Sequence, residues 1–271
     1  MIGQGPNYIH PDAKLGEGVE VGSFASIGPK VRVGRGTEIG ANVVLMGNTT
    51  IGERNQIFPG AVIGGEPQSR LYNGEDTRVE IGDGNAIREC VTVHIGTVEG
   101  GGVTRIGSGN LLMTCSHVAH DCIVGNDTVL SSGVLLAGHV KVEDNVTVNG
   151  GSAVNQFVTL GRHSFIGGLT RIVHDVPPFM IAEGHRATVR SVNAVGLRRH
   201  GFSEESIEAL KEAFRLIYRS DLRRQEALSK LEGREGLKEE VRELVEFLRR
   251  MEAGKRGRAQ EGGSGSSHGE S

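Results

Sequence analysis

An aliphatic residue returns at every sixth position through most of the first 172 residues, and no other feature of the chain constrains its fold as tightly. Stepping by six from Ile9 gives Leu15, Val21, Ile27, Val33, Ile39, Leu45, Ile51, Ile57 and Ile63 with no polar interruption. The phase resumes at Ile81, Ile87 and Val93, and again at Ile106, from which it runs unbroken through Val118 and Leu136 to Ile172. A period of six fits neither a 3.6-residue helix nor a simple alternating strand. It fits a coil of three short strands meeting at three corners, eighteen residues to the turn, with coils stacked about 4.8 Å apart. One inward aliphatic side chain per hexapeptide fills the narrow axis, and neighbouring glycines, as in Val21-Gly22 and Ile39-Gly40, let the backbone turn. With no Trp, three Tyr and eight Phe, the core has to be built from Val, Ile and Leu.

Two Gly-rich and polar interruptions, near 65–78 and 95–105, read as loops projecting from the solenoid. Protruding loops on a rigid scaffold are common sites of function, and a tolerated insertion is the alternative. The solenoid is expected over 1–174. Asp175-Val176-Pro177-Pro178 then breaks the repeat and opens a helical region over 175–253. A first helix is expected over 187–200, ending near Gly201, with Ser203-Glu204-Glu205 starting the next. Ile207, Leu210, Phe214 and Ile217 share one helical face, and Leu237, Val241, Leu244, Leu248 and Met251 form a later stripe. Residues 254–271, ending in Gly262-Gly263-Ser264-Gly265-Ser266-Ser267, are expected to be a disordered tail.

A net charge of −3 and the lack of a basic block argue against a nucleic-acid partner. No run of about 18 apolar residues is present to span a membrane, and no charged-then-apolar leader opens the sequence. Cys90, Cys115 and Cys122 have no metal-ligand spacing and leave one thiol over, which suits structural cysteines in a reducing cytoplasm.

Counting by eighteen locates the chemistry. His120, Gly138, Gln156 and His174 fall in one column on successive coils, with His139 beside Gly138. Two imidazoles, an amide and a glycine N–H thus converge in the longest unbroken run of repeats. Histidine is suited to general-base work near neutral pH, and a backbone N–H unobstructed by a side chain can stabilise an oxyanion. Together they fit attack of a hydroxyl on an activated carbonyl. Solvated turn histidines are the bland alternative. Three imidazoles from His117, His120 and His139 could also hold zinc, but the spacing matches the gamma-class carbonic anhydrases poorly. No metal or cofactor is therefore expected.

Several stretches carry a family resemblance: Gly101-Gly102-Val103-Thr104, Asn110-Leu111-Leu112-Met113, His117-Val118-Ala119-His120-Asp121-Cys122, Leu136-Ala137-Gly138-His139-Val140 and Gln156-Phe157. With Asp175 to Pro178, Asn193 to Arg199 and Gly201-Phe202, the chain resembles the acyl-ACP–UDP-N-acetylglucosamine O-acyltransferases of lipid A synthesis from about residue 7 to 251. The resemblance implies a left-handed parallel β-helix with a C-terminal helical domain. The period alone does not give that hand, since parallel crossovers are normally right-handed. It also implies a cytoplasmic homotrimer that moves a 3-hydroxyacyl group from acyl carrier protein to the sugar 3-hydroxyl, with each site between neighbouring prisms. By the same resemblance His120 is the general base, Asp121 sets its environment and the Gly138 N–H binds the oxyanion. His139 and Gln156 contact donor or sugar, Asn193 and Arg199 bind the uridine diphosphate, His94 and His117 lie near the cleft, and Gly168 gauges acyl length.

This chain departs from the family pattern in the first loop. There Gln68-Ser69-Arg70-Leu71-Tyr72 replaces the usual Gln-Asp-Leu-Lys-Tyr, losing a carboxylate and a lysine, with Arg70 one position from the lost cation. Asn155, Ile95, Val195 and His200 are further departures. Gln68 and Arg70 remain candidates for sugar contact. The altered loop keeps two alternatives open: the same chemistry on a 3-amino sugar nucleotide, or a non-catalytic structural module.

Overall fold

The computed structural model of the chain describes residues 5–261. Strands mostly of two residues recur from Tyr8–Ile9 to Arg171–Ile172 and assemble into three sheets of nine, eight and eight strands, the last extended to ten by two later strands. The sheets are the walls of a left-handed prism. Residues eighteen apart face one another across neighbouring coils, as Ile9 faces Ile27, Val33 faces Ile51 and Leu136 faces Val154. The inward residues Ile27, Ile63, Leu112, Leu136 and Ile172 are fully buried. Ile9, in the first of the described coils, is covered on one side only and stays 38% exposed.

Both interruptions lie at the same corner, between the first and second sheets. Ile63 faces Val93, thirty positions on, so the first loop adds twelve residues to an eighteen-residue coil. Val93 faces Val118, twenty-five positions on, so the second loop adds seven. The first runs from strand Val62–Gly65 to strand Arg78–Ile81, and the second from Thr92–His94 to Val103–Ile106. On the next coils this corner is the tight turn at His120-Asp121, then Gly138-His139, then Gln156-Phe157. The loops thus rise beside the column that carries the candidate chemistry.

A ladder of polar side chains runs inside another corner. Asn55 Oδ1 accepts from the Asn85 backbone N–H at 2.9 Å, Asn85 Oδ1 from Asn110 N–H at 2.9 Å, and Asn110 Oδ1 from Thr128 N–H at 2.8 Å. Each rung satisfies a buried amide that would otherwise cost about 1–3 kcal/mol.

Past the solenoid, strand Met180–Glu183 joins the third sheet, and Thr188–Val192 pairs antiparallel with it. The helix expected over 187–200 is therefore confined to α1, Ala194–Arg199, because the β-branched Thr188, Val189 and Val192 complete a hairpin on the sheet edge. Helices α2 (Glu204–Tyr218), α3 (Arg224–Glu232) and α4 (Glu239–Ala253) follow. Ser203 caps α2 by accepting from Ser206 N–H, and Ile207, Leu210, Leu244 and Leu248 pack beneath Phe179 and Met180. Residues 254–261, expected as part of a disordered tail, instead fold back onto the solenoid, ending in a 3-10 turn at Ala259–Glu261 with Arg258 buried. The Gly- and Ser-rich residues after 261 lie outside the described residues. Among the described residues no helix is long and apolar enough to cross a membrane.

Candidate active site

His120 and Asp121 occupy the turn that follows strand His117–Val118. The corner puts Asp121 at φ +61°, a left-handed conformation that aspartate tolerates better than most residues. Its backbone N–H donates to Thr104 Oγ1 at 2.8 Å. Its carboxylate, fully buried, sits 2.7 Å from His120 Nδ1 through Oδ2. The second loop supplies the other partners: Thr97 N–H donates to Oδ1 at 2.8 Å and Thr97 Oγ1–H to Oδ2 at 2.7 Å. Burial alone would raise the Asp121 pKa, but the bonds from His120 and Thr97 outweigh it and hold the group below the usual carboxylate range. An ionised carboxylate only accepts, so His120 Nδ1 carries the proton of this bond and Nε2 is the nitrogen left to face a substrate.

Gly138 lies under the His120 ring, where a Cβ would fall 2.5 Å from Cε1 and 2.8 Å from Nε2. Its N–H has no acceptor among the described residues. His139 meets His120 edge to face, with centroids 5.2 Å apart, and stacks on Phe157 at 4.5 Å. His117 is hydrogen-bonded through Nδ1 to Thr92 Oγ1 at 2.7 Å, and His94 meets it edge-on at 4.8 Å. Burial lowers the pKa of both, that of His94 to about 4, so they stay neutral near pH 7.

These groups open onto a cleft of about 910 Å³ lined by Gln68, His117, His120, Gly138, Gln156 and Arg256. Of the column predicted from the repeat, His120, Gly138 and Gln156 line the cleft wall, whereas His174 does not and bonds the Arg256 carbonyl instead. Of the first-loop candidates Gln68 reaches the cleft, whereas Arg70 is exposed and does not line it. Gly168 lies at a different corner, beside the exposed Leu169. The Asn193 side chain caps α1, accepting from Gly196 N–H and donating to the His163 carbonyl. Arg199 is exposed at the end of that helix. One chain thus brings together His94, His117, His120, Asp121, Gly138, His139, Gln156 and Gln68, but not Gly168, Asn193, Arg199 or Arg70.

Sequence reasoning missed Thr97 and the C-terminal arginines. Gly100 carried a signal: a Cβ there would fall 1.9 Å from Asp121 Cγ, so the loop's glycine marks its close approach to the carboxylate. His120, Asp121 and His139 form the described group whose ligand atoms lie near enough to hold a cation, within 4.8 Å of one another. Asp121 Oδ2, however, already serves both Thr97 and His120, and His117, the third histidine of the zinc alternative, is outside the group. The donor set suits proton transfer better than zinc. Cys122 Sγ–H donates to the Ala137 carbonyl and burial pushes its thiol up to about 12, whereas Cys90 and Cys115 are exposed.

A model for domain 2 of UDP-N-acetylglucosamine O-acyltransferases matches residues 175–259, and one for six bacterial transferase hexapeptide repeats matches 30–65. An acyl-ACP–UDP-N-acetylglucosamine O-acyltransferase of Myxococcus xanthus is 49% identical over 246 residues, covering 91% of this chain and 95% of its own. Its counterpart in Synechocystis is 49% identical over 208 residues, 76% of this chain and 75% of its own. The UDP-N-acetylglucosamine acyltransferase structure from Bacteroides fragilis superposes with a TM-score of 0.86 at 41% identity, covering 89% and 94% of the two chains. That from Francisella novicida gives 0.85 at 34% identity, covering 89% and 88%. With repeat, helical domain and near-full-length relatives in agreement, the chain belongs to the acyl-ACP–UDP-N-acetylglucosamine O-acyltransferase family.

Proposed function

We infer that this chain transfers a 3-hydroxyacyl group from acyl carrier protein to the 3-hydroxyl of UDP-N-acetylglucosamine, the first step of lipid A synthesis. The observation that carries the reading is the Asp121–His120 pair, 2.7 Å apart, set over Gly138 in the cleft of a chain of this family. The sugar hydroxyl attacks the thioester carbonyl while His120 Nε2 takes its proton, and Asp121 stabilises the imidazolium that results. The Gly138 N–H donates to the tetrahedral oxyanion. Collapse breaks the C–S bond, and the imidazolium returns its proton to the departing thiolate. Every step uses the chain's own groups.

The division of candidate residues between two faces supports a homotrimer in which a neighbouring copy brings Gly168, Asn193 and Arg199 to the cleft. Leu135, which lines the cleft, is 50% exposed and Leu169, beside Gly168, is 81% exposed, as expected of side chains that a neighbour covers. Both substrates are cytoplasmic, and we place the enzyme there.

The test is an assay of purified protein with 3-hydroxyacyl carrier protein and an equimolar mixture of UDP-N-acetylglucosamine and its 3-amino analogue, resolved by mass. Ester product lost in His120→Ala is expected. Wild-type rate in that variant refutes the base assignment, and amide as the main product reassigns the acceptor, the outcome that Ser69 and Leu71 in the first loop would favour. Sedimentation gives the oligomeric state, and a monomer overturns the shared site.

A further inference from the structure

We propose that Thr97 is a positioning residue for the transfer, orienting the Asp121 carboxylate so that Oδ2 pairs with His120 and not with His139. The role rests on the acyl-transfer reading above and puts part of the control of the base into the second loop.

Asp121 sits between two imidazoles. Its Oδ2 is 2.7 Å from His120 Nδ1 and 3.7 Å from His139 Nε2, so a swing of about 1 Å separates one pairing from the other. The terminal torsion of an aspartate is soft and roughly two-fold, and by itself selects neither ring. Thr104 Oγ1, at 2.8 Å, holds the backbone N–H of Asp121 and not its carboxylate. With Oδ2 drawn toward His139, the His120 Nδ1–H loses its acceptor, the imidazole is free to turn, and Nε2 leaves its place over Gly138.

Thr97 engages both carboxylate oxygens at once. Its N–H donates to Oδ1 at 2.8 Å and its hydroxyl to Oδ2 at 2.7 Å, so one residue fixes the plane of the group. The direction of the hydroxyl is itself set. Thr97 Oγ1 accepts from Gly100 N–H at 3.2 Å, and because a backbone N–H only donates, the single hydroxyl proton is left to Asp121. The Thr97 carbonyl closes the same turn, accepting from the N–H groups of Gly100 and Gly102 at 3.2 and 2.7 Å. The backbone at Gly100 packs against the carboxyl group closely enough to limit its tilt, since a Cβ there would fall 1.9 Å from Asp121 Cγ. Thr97 is only 4% exposed, and in so dry a setting each of these bonds is strengthened. It does not line the cleft, so its influence on the reaction passes through Asp121.

The experiment compares full-length wild type with Thr97→Val, which keeps the shape and the N–H bond but removes the hydroxyl, and Thr97→Ser, which restores it. Thr97→Val is expected to lower kcat about tenfold to a hundredfold, the worth of one hydrogen bond to a charged group, with both KM values within about twofold. Thr97→Ser is expected to recover kcat to within about threefold of wild type. In an Asp121→Ala background Thr97→Val should change kcat by less than about twofold, because both act through one carboxylate. A kcat within about threefold of wild type in Thr97→Val overturns the proposal, as do failed rescue by serine and fully additive losses, which mark a purely structural threonine. If Thr97→Val does not fold, Thr97→Ala takes its place with the same expectations. Histidine-selective NMR reads the pairing with no substrate present: the His120 Nδ1–H is expected to be protected from exchange in wild type and to lose that protection in Thr97→Val. Unchanged protection in the variant overturns the proposal whatever the activity. Inactivity of wild type instead sinks the acyl-transfer reading, which keeps the two failures apart.

Discussion

Replacing Gly138 by alanine tests the site with the least chemical change. The new methyl would lie 2.5 Å from His120 Cε1, whereas ordinary contact needs about 3.5 Å, so the imidazole has to retreat by about 1 Å. Asp121 cannot follow, because Thr97 and Thr104 hold its carboxylate and its backbone. Gly138 itself does not adopt a positive φ, so alanine strains no backbone there and the effect is steric. A displacement of about 1 Å in a reacting group costs on the order of a hundredfold in rate, or about 2.7 kcal/mol at 1.36 kcal/mol per decade. Steady-state assays of Gly138→Ala should show kcat down about a hundredfold, with both KM values nearly unchanged. The double variant with His120→Ala should be no slower than His120→Ala alone, because both act through one imidazole. A kcat within threefold of wild type, or fully additive losses, would refute the placement of His120 over Gly138.

Asn85→Ala removes the acceptor of the buried Asn110 N–H and should lower unfolding stability by about 1–3 kcal/mol, seen as a lower urea midpoint; an unchanged midpoint would show the ladder to be dispensable. Gly168→Met should shorten the preferred acyl chain without shifting the melting temperature, since a Cβ there meets the Gly150 carbonyl oxygen only at an ordinary 3.5 Å; unchanged chain preference in a mixed-length assay counts against the ruler role. His94 and His163 are held down to about 4 by burial, against about 6.5 when unfolded. Between pH 6.5 and 4 the unfolded chain therefore binds protons the folded chain does not, and stability should fall as the pH drops through that window. His163→Phe should flatten the slope in pH-dependent denaturation, and an identical slope in the variant would contradict the assignment.

The solenoid was legible because its period is imposed by a narrow axis that admits one aliphatic side chain per wall, and the column at His120 followed from the same count. What escaped was set by contacts without a period. Thr97 reaches Asp121 from a loop whose path no repeat dictates. The segment 187–193, expected as the start of a helix, is strand because its backbone pairs with the edge at Met180–Glu183. Residues 254–261 were grouped with the Gly- and Ser-rich end as one tail, yet their order comes from hydrogen bonds to backbone groups and one buried arginine, which leave no trace in hydrophobicity. Gly168 and Arg199, recognised by resemblance, lie off the cleft in a single chain because Gly168 sits on a different corner of the prism and Arg199 ends α1, beyond the solenoid.

The placement of both loops at one corner bears on how such an enzyme can change. Ile63 faces Val93 and Ile81 faces Ile106 despite twelve and seven extra residues, and the register shifts only locally, between Ile63 and Gly65 at the mouth of the first loop, so the inward positions on either side do not sense the length of what is inserted. Rewriting the first loop, as Ser69 and Leu71 exemplify, leaves the hydrophobic axis untouched. New acceptors can therefore be explored by exchanging a surface segment, without the compensating core mutations that a globular enzyme would require.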